Sequence, residues 1–312
     1  MTTQPHKDSL LGSLRGLTRR LLGADEPEEA RPDQREMAQR VLRRLKTGEI
    51  KVPIFPVAAQ RTTELINNPN ARVTEIASII ETDAALCAEL LRVANSAAFS
   101  GGTEIRTVQR AIAQLGLNKL RSLLFVVIRR AMFPRSAFKE LHTSYFNQAM
   151  AVACACEALE PLLGLSEEGS FLFGILHNIG RSGMLNVITE MQNADELPRD
   201  LTLAEVERLV SHTYEPCGAI IARKWRLPDE FQRVIFHHRS PDRLDASVRL
   251  PTLLTYLAIE LCVSHRVGGF SRAIGVHIND CPHIQRLALD PHTLNRAAAK
   301  AKVQYTDLRG CF

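Results

Sequence analysis

Residues 171–180 read Phe-Leu-Phe-Gly-Ile-Leu-His-Asn-Ile-Gly, and this stretch decides the fold class. It is an apolar helical run that ends in two polar residues, His177 and Asn178, with Gly180 close behind. Polar side chains at the end of a buried helix are costly unless they are hydrogen-bonded or hold a ligand. The stretch therefore indicates a helical protein with a polar site at one helix end.

The sequence on both sides of this stretch has the three- and four-residue apolar spacing of amphipathic helices. Met37, Val41, Leu42 and Leu45 repeat in this way and stop at Gly48. Several segments also begin with a residue that can cap a helix, namely Asp83, Thr107, Asn118 and Thr202, the last with Glu205 in capping-box spacing. No hairpin signal is present. The sequence predicts an all-α protein of about a dozen helices.

The predicted organisation has three parts. Residues 1–36 are an amphipathic segment followed by an acidic linker, in which residues 24–36 carry six acids and two prolines. Residues 37–266 form the main domain, with two packed lobes at 37–133 and 138–266 on either side of the Phe133-Pro134-Arg135-Ser136 break. Residues 267–312 are a tail with a short helix that starts at Asp290-Pro291.

The N-terminal segment is a candidate partner-binding element because leucines follow helical spacing opposite arginines. The residues that define this element are Leu10, Leu14, Leu17, Leu21, Arg15 and Arg19. Two glycines inside the segment weaken an isolated helix. We therefore expect it to become helical on contact with a partner or with the main domain.

Composition narrows the class of protein. The net charge is +5, from 39 basic and 34 acidic residues, which is too small an excess to argue for nucleic acid by itself. The longest run without a charged residue, Leu141–Cys156, is shorter than the roughly 20 apolar residues of a membrane span. The seven cysteines include no CxxC pair and are expected to be reduced and mostly buried. We expect a cytoplasmic protein.

The chemistry-bearing residues lie on three predicted helices. His177 and Asn178 form one pair, His237 and His238 follow Phe236 at the end of another apolar helix, and Asn147 lies among small apolar residues. Histidines and carboxylates collected from several helices commonly build divalent-metal sites in helical proteins. The pairs Arg129-Arg130 and Arg19-Arg20 are interpreted as solvated faces.

These motifs, in this order, resemble the HDOD domain, the non-catalytic relative of the HD metal-dependent phosphohydrolases. The resemblance covers about residues 45–265. It is carried by Val52-Pro-Ile-Phe-Pro56, residues 68–83, Leu90-Leu-Arg-Val-Ala-Asn95-Ser96, residues 111–121, Leu176-His-Asn-Ile-Gly180, Lys224-Trp-Arg-Leu-Pro228 and His237-His238. The resemblance implies a helical HD-like fold and a bacterial regulatory role.

The resemblance also implies which metal ligands an active relative would have. An HD enzyme uses an early His, an adjacent His-Asp pair and a late Asp, and the corresponding positions here read Asn147 and His177-Asn178. The candidate late helix, residues 253–261, contains no Asp, and Glu260 is its only carboxylate. Because Asn offers a neutral oxygen where Asp offers an anion, the site loses about two negative charges. Asn147, His177, Asn178, His237 and His238 are therefore interpreted as a vestigial pocket without catalytic or metal-binding residues, unless the three histidines converge on zinc.

Three functions remain open at this point. The first is a non-catalytic signal-transduction module that works by protein–protein interaction, with partners in two-component or cyclic-dinucleotide pathways as the resemblance implies. Since no receiver, GGDEF or EAL segment is visible, its input or output would come from another protein. The alternatives are a residual metal-dependent phosphohydrolase and a nucleic-acid-binding regulator. We expect the first, with no cofactor.

Overall fold

The structure is a computed structural model, and it describes residues 32–47, 61, 72–96, 104–131, 138–165, 169–243, 246–270, 278 and 281–310. These ranges contain twelve α-helices, three short 3-10 helices and no strand, so the prediction of an all-α fold is confirmed. The α-helices are α1 Pro32–Thr47, α2 Val73–Glu81, α3 Ala84–Ala94, α4 Val108–Ala131, α5 Lys139–Leu159, α6 Ser170–Leu176, α7 Ile179–Asn193, α8 Leu203–Lys224, α9 Asp229–His237, α10 Ala246–His265, α11 Pro282–Arg286 and α12 Pro291–Gly310. The 3-10 helices are Glu160–Leu163, Pro241–Arg243 and Val267–Gly269.

The helix starts of α8 and α3 have the capping interactions that the sequence predicts. At α8, the backbone N–H of Glu205 donates to Thr202 Oγ1 at 3.3 Å, and the Thr202 N–H donates to the Glu205 carboxylate at 2.9 Å. At α3, the Leu86 N–H donates to Asp83 Oδ1 at 3.0 Å. Such caps satisfy N–H groups that have no partner within the helix.

One predicted boundary is confirmed and another shifts in the structure. The predicted stop at Gly116 is a kink within α4, where φ is +75°, and a second helical stretch follows it, as the sequence predicts. The acidic linker was expected to extend to residue 36, whereas α1 already begins at Pro32. Proline suits the first helical position because its missing N–H needs no partner there. Glu36 and Arg40, one turn apart on α1, also form an ion pair at 2.7 Å.

The central element of the fold is α5. Its residues from Ala149 to Cys156 are all fully buried, and it packs against α6, α10, α12 and the Val267–Gly269 turn. A helix that is apolar on every side belongs inside a core. Because many of these residues are alanines, the surrounding helices can approach its backbone closely.

One continuous apolar core joins helices on both sides of the expected lobe boundary. It runs from Met37 on α1 through α4 and α5 to Leu308 on α12. α1 packs against α8, and Arg44 pairs with Glu196 at 2.5 Å.

The helix expected in the tail begins at Pro291, with Asp290 accepting from the Thr293 N–H at 3.0 Å. It is 20 residues long rather than short, because its apolar face packs along α5.

Some predicted features lie outside the described residues. They include the leucines and arginines of residues 10–21, the motif Val52-Pro-Ile-Phe-Pro56 and the break at 133–136. Within the ranges described, none of the helices is both long and apolar enough to cross a membrane. Five of the six described cysteines are buried, Cys87 is partly exposed, and all six are free thiols.

Candidate functional site

The segment between α6 and α7 is held by two close backbone approaches. A Cβ at Gly174 would lie 2.3 Å from Ala153 Cα on α5, and one at Gly180 would lie 1.8 Å from the Tyr214 carbonyl on α8. Only glycine allows such contacts without a shift of the backbone. The two glycines therefore fix His177 and Asn178 between α5 and α8.

His177 and His238, two members of the expected vestigial pocket, meet in this region. Their rings lie edge to face with centroids 5.2 Å apart. His177 Nδ1 faces the Gly174 carbonyl at 2.6 Å, and His238 Nδ1 faces the Ile235 carbonyl at 2.9 Å. A carbonyl accepts only, so both Nδ1 atoms carry the proton. His238 Nε2 then accepts from the Tyr214 hydroxyl at 2.9 Å.

Both imidazoles are neutral at pH 7. Burial strongly lowers the pKa of His177, and the positive charges nearby add to the effect. Burial also lowers the pKa of His238 to about 3. Taking an imidazolium out of water is unfavourable. The groups that shift the pKa of each ring include no carboxylate that could compensate for its positive charge.

Arg129 is the unexpected member of this site. Its side chain, only 2% exposed, reaches from α4 so that Nη2 donates to Asn178 Oδ1 at 2.5 Å. The same guanidinium donates to the carbonyl of Ile175 and, at 3.5 Å, to that of Tyr145. Burial lowers the pKa of Arg129 to about 9, so the side chain remains charged at neutral pH. Asn178 in turn donates from Nδ2 to the Tyr145 carbonyl at 3.1 Å.

The interpretation of Arg129 as part of a solvated face is wrong. The residues before it on α4 are buried on almost every side, including Phe125 and Val126. Arg129 lies one helical turn after these two residues and therefore on their inward side. The signal in the sequence was the apolar run of 123–128, which leaves little room for a solvated face.

A second arginine, Arg181, covers the pair from α7. Its guanidinium lies over the rings of Tyr145, with the centroid at 5.1 Å, and Tyr214, with the centroid at 4.6 Å. Arginine commonly stacks on aromatic faces in this way. The charged groups that act on His177 at neutral pH are thus Arg129 and Arg181, and both disfavour a positive charge on its ring.

The structure leaves Asn147, His237 and Glu260 outside this cluster. Asn147 is half-buried on the side of α5 under Gly268, whereas Tyr145, two residues earlier, faces Arg181. His237 is partly exposed and packs edge-on against Phe236 at 4.8 Å. Glu260 is partly buried near Tyr256, and burial raises its pKa. Of the three histidines considered as zinc ligands, only His177 and His238 therefore lie together.

The residues at this site do not fit a hard divalent cation. Such ions prefer carboxylate oxygens, whereas the amide oxygen of Asn178 already accepts from a guanidinium and His238 Nε2 accepts from Tyr214. Among the described residues, no three His, Cys, Asp or Glu side chains are grouped as metal ligands. Two nearby arginines would also repel the metal.

The comparison with protein families decides the family. The model of the HDOD domain matches residues 52–241, which is more than half of the chain. The chain belongs to the HDOD family. The expectation drawn from the ordered motifs is thereby confirmed.

The HDOD chain is also similar to one curated protein and to several solved structures. An uncharacterized protein of Treponema pallidum (strain Nichols) is 28% identical over 208 residues, which cover 61% of this chain and 38% of that protein. The matched region thus spans well under half of that relative. A Shewanella amazonensis SB2B structure, provisionally named as a metal-dependent phosphohydrolase, has a TM-score of 0.68 at 21% identity, covering 88% of this chain and 100% of its own.

Two further structures share the helical HDOD fold. One is an HDOD domain protein with unknown function from Geobacter sulfurreducens, with a TM-score of 0.61 at 19% identity, covering 88% of this chain and 94% of that chain. The other, from Marinobacter aquaeolei VT8, is provisionally named as a signal transduction protein. It has a TM-score of 0.62 at 19% identity, covering 100% of this chain and 67% of that chain. At these identities the likeness shows the fold alone.

Proposed function

We propose that this HDOD protein is a non-catalytic signal-transduction module that acts through protein–protein interaction. The observation that carries the proposal is the bond from Arg129 Nη2 to Asn178 Oδ1, 2.5 Å long and buried. The guanidinium of Arg129 thus binds the side-chain oxygen of Asn178, the residue next to His177. On this proposal the protein keeps the helical fold of a hydrolase, and a positive charge of its own chain lies where the hydrolase would bind a metal.

The charge balance supports the same conclusion. An HD-type reaction needs a metal that lowers the pKa of a bound water and offsets the charge on the phosphoryl group. In this chain the neighbours of His177 are the neutral ring of His238, a neutral amide and two guanidiniums. His177 alone cannot both bind a metal and remove a proton from water. We therefore infer that the protein is not an enzyme.

The partners that we propose are signalling proteins of two-component or cyclic-dinucleotide pathways. Support comes from the family and from the provisional name of the Marinobacter aquaeolei relative. The contact element that we propose is the leucine face around Leu14 and Leu17, and we place the protein in the cytoplasm. A nucleic-acid role has less support, because the net charge of +5 is small for a chain of 312 residues.

Metal analysis and hydrolysis assays test the absence of catalysis. Purified protein is analysed for metals and incubated with nucleotide, cyclic dinucleotide and generic phosphodiester substrates in the presence of Mn, Mg, Fe or Ni. We expect far less than one metal per chain and no turnover. About one metal per chain, with turnover that His177→Ala abolishes and the exposed-site control His212→Ala preserves, would overturn the proposal.

A binding experiment tests the interaction. Tagged wild-type protein and Leu14→Asp are used to capture proteins from the native bacterium, and each captured protein is then purified and titrated calorimetrically. We expect a signalling protein that binds wild type and binds Leu14→Asp at least about tenfold more weakly, since burying a charge in an apolar contact is costly. If no purified candidate binds wild type directly, the interaction proposal fails.

A further inference from the structure

Arg129 joins three other segments of the fold to α4 through one buried guanidinium. It donates to the carbonyl of Ile175 on α6, to that of Tyr145 on α5 at 3.5 Å, and to Asn178 Oδ1 at the start of α7 at 2.5 Å. Oxygen atoms from separate helices around one buried positive charge are the arrangement that a bound hard cation has in a helical protein. Here the positive charge is part of the chain.

The amide of Asn178 is matched to this guanidinium and to the carbonyl beyond it. Its Oδ1 accepts from Arg129, and its Nδ2 donates to the Tyr145 carbonyl at 3.1 Å. An aspartate at this position could accept from Arg129, but it could not donate to a carbonyl and it would carry a negative charge. Both side chains are at most 2% exposed, so the neutral amide and the fixed guanidinium form a complementary buried pair.

The charge of Arg129 is not needed for an ion pair within the described part of the chain. Its hydrogen bonds there go to amide and carbonyl oxygens, and its Nε–H finds no acceptor. A buried guanidinium without an anion is costly, and an apolar side chain of similar size would avoid that cost. The guanidinium supplies what an apolar side chain does not, namely a positive charge and N–H groups for three oxygens.

We propose that Arg129 performs the structural role of a bound metal in this fold, and that it does so as one unit with Asn178. It holds the helices around the polar site together with a charge that cannot dissociate. The resemblance to HD enzymes implies an aspartate at the position of Asn178. Restoring that carboxylate alone does not restore a metal site, because the guanidinium already lies beside it and pairs with it. A cation can bind only when Arg129 is replaced as well.

This inference rests on the proposed function and adds the pair of residues that keeps a metal out. Thermal unfolding of the full-length protein with and without Mn²⁺ tests it in wild type, Asn178→Asp, Arg129→Gln and the double variant. Glutamine removes the charge of Arg129 but keeps amide N–H donors for the carbonyls, which limits the damage to the fold. We expect millimolar Mn²⁺ to raise the melting temperature of the double variant saturably, by about 2 °C or more, and to leave the other three forms unchanged.

A double-mutant cycle, run by urea denaturation in the presence of a chelator, measures whether the two residues act as one unit. In Asn178→Asp the new carboxylate has the guanidinium beside it, whereas in the Arg129→Gln background it is buried without a cation. We therefore expect Asn178→Asp to raise the unfolding equilibrium constant at least about tenfold more in the Arg129→Gln background than in wild type. Effects of the two changes that simply add would overturn the proposed unit.

The matched control makes the same change of charge at exposed positions, Arg199→Gln with Asn193→Asp, and should not respond to Mn²⁺. A response of Asn178→Asp alone as large as that of the double variant, or a double variant that Mn²⁺ does not stabilise, would overturn the role of Arg129. Should the double variant be unfolded without metal, circular dichroism during a Mn²⁺ titration replaces the melting curve. Recovery of helix is then the expected result, and a chain that stays unfolded overturns the role in the same way.

Turnover separates this inference from the proposed function. Hydrolysis of a phosphodiester by the wild-type protein would contradict the non-catalytic module, whatever the variants show. A double variant without a Mn²⁺ response, with wild type inactive, would contradict the role of Arg129 and leave the non-catalytic module standing.

Discussion

At the scale of single residues, Arg129 is the side chain on which the interpretation depends. Its guanidinium organises the polar site by donating to the Asn178 side chain and to the carbonyls of Ile175 and Tyr145, which belong to three different segments. Burying this charge costs free energy that the three hydrogen bonds offset. The arginine is thus part of the packing as well as the reason why the site repels cations.

Replacing Arg129 by methionine tests this structural role. We expect Arg129→Met to lower the free energy of unfolding by about 2 kcal/mol or more, since it removes three buried hydrogen bonds, including the one to Asn178 Oδ1. Urea denaturation at pH 7 measures the loss. Arg110→Met, at an exposed position of α4, should change it by less than about 0.5 kcal/mol. A variant at Arg129 that is as stable as wild type would show that the hydrogen bonds do not compensate for burial of the charge.

The buried histidines make stability depend on pH. In the unfolded chain a histidine titrates near pH 6.5, whereas burial lowers the pKa of His238 to about 3 in the folded protein. Below pH 6.5 the unfolded state therefore binds a proton that the folded state does not. The free energy of unfolding should fall by about 1.4 kcal/mol per pH unit for each such histidine, and the loss should level off only near pH 3.

His238→Gln isolates one of these protons. Between pH 6.5 and pH 5.5 its free energy of unfolding should fall by about 1 kcal/mol less than that of wild type, as measured by urea denaturation. His212→Gln, at an exposed position of α8, should keep the wild-type pH dependence. Identical pH dependence in wild type and His238→Gln would contradict the assignment of a neutral buried imidazole.

At the scale of secondary-structure elements, two glycines set the distances between helices. Gly174 lets α6 approach the backbone of α5, and Gly180 lets α7 approach α8 near Tyr214 and Gly218. These contacts involve backbone atoms, which cannot rotate away as a side chain could. The His177-Asn178 pair is held because the helices before and after it are fixed independently.

Gly180→Ala is the sharpest test of this packing. Its Cβ would lie 1.8 Å from the Tyr214 carbonyl oxygen, so α7 and α8 must separate. We expect a loss of about 3 kcal/mol or more, seen as a large drop in the melting temperature. Gly310→Ala is the control, since no atom lies within 4 Å of its Cβ, and it should change stability by less than about 0.5 kcal/mol. A melting temperature that Gly180→Ala leaves unchanged would refute the close approach.

The helices were predictable to the extent that local chemistry fixes them. The caps at Asp83 and Thr202 and the stop after Leu45 follow from the residues themselves. The grouping of His177 and His238 in one pocket was implied by the family resemblance, whereas the sequence left open whether the histidines converge. Arg129 was missed because its partner Asn178 is 49 residues away, and only the tertiary packing joins them. The position of Asn147 could not be predicted because residues 149–156, which follow it directly, are apolar on all sides, so periodicity does not identify the side of the helix that faces the pair.

At the scale of the whole molecule, polar contacts cross the boundary between the expected lobes together with the core. Lys119 on α4 pairs with Glu157 on α5 at 3.2 Å, and Gln304 on α12 donates to the same carboxylate. One glutamate therefore links the first lobe, the central helix and the last helix. Because the apolar core is also continuous, neither lobe is expected to unfold alone.

Calorimetry of the full chain should accordingly show one transition, with calorimetric and van't Hoff enthalpies that agree. A change far from the expected lobe boundary should then move the entire transition. Leu308→Ala on α12 removes a fully buried side chain and is expected to cost about 2–5 kcal/mol. Val303→Ala on the same helix, where the side chain is 63% exposed, should have little effect. A separate low-temperature transition in Leu308→Ala would mean that α12 unfolds independently. We expect a single shifted transition, because α5 is covered by both lobes and by α12 in one core.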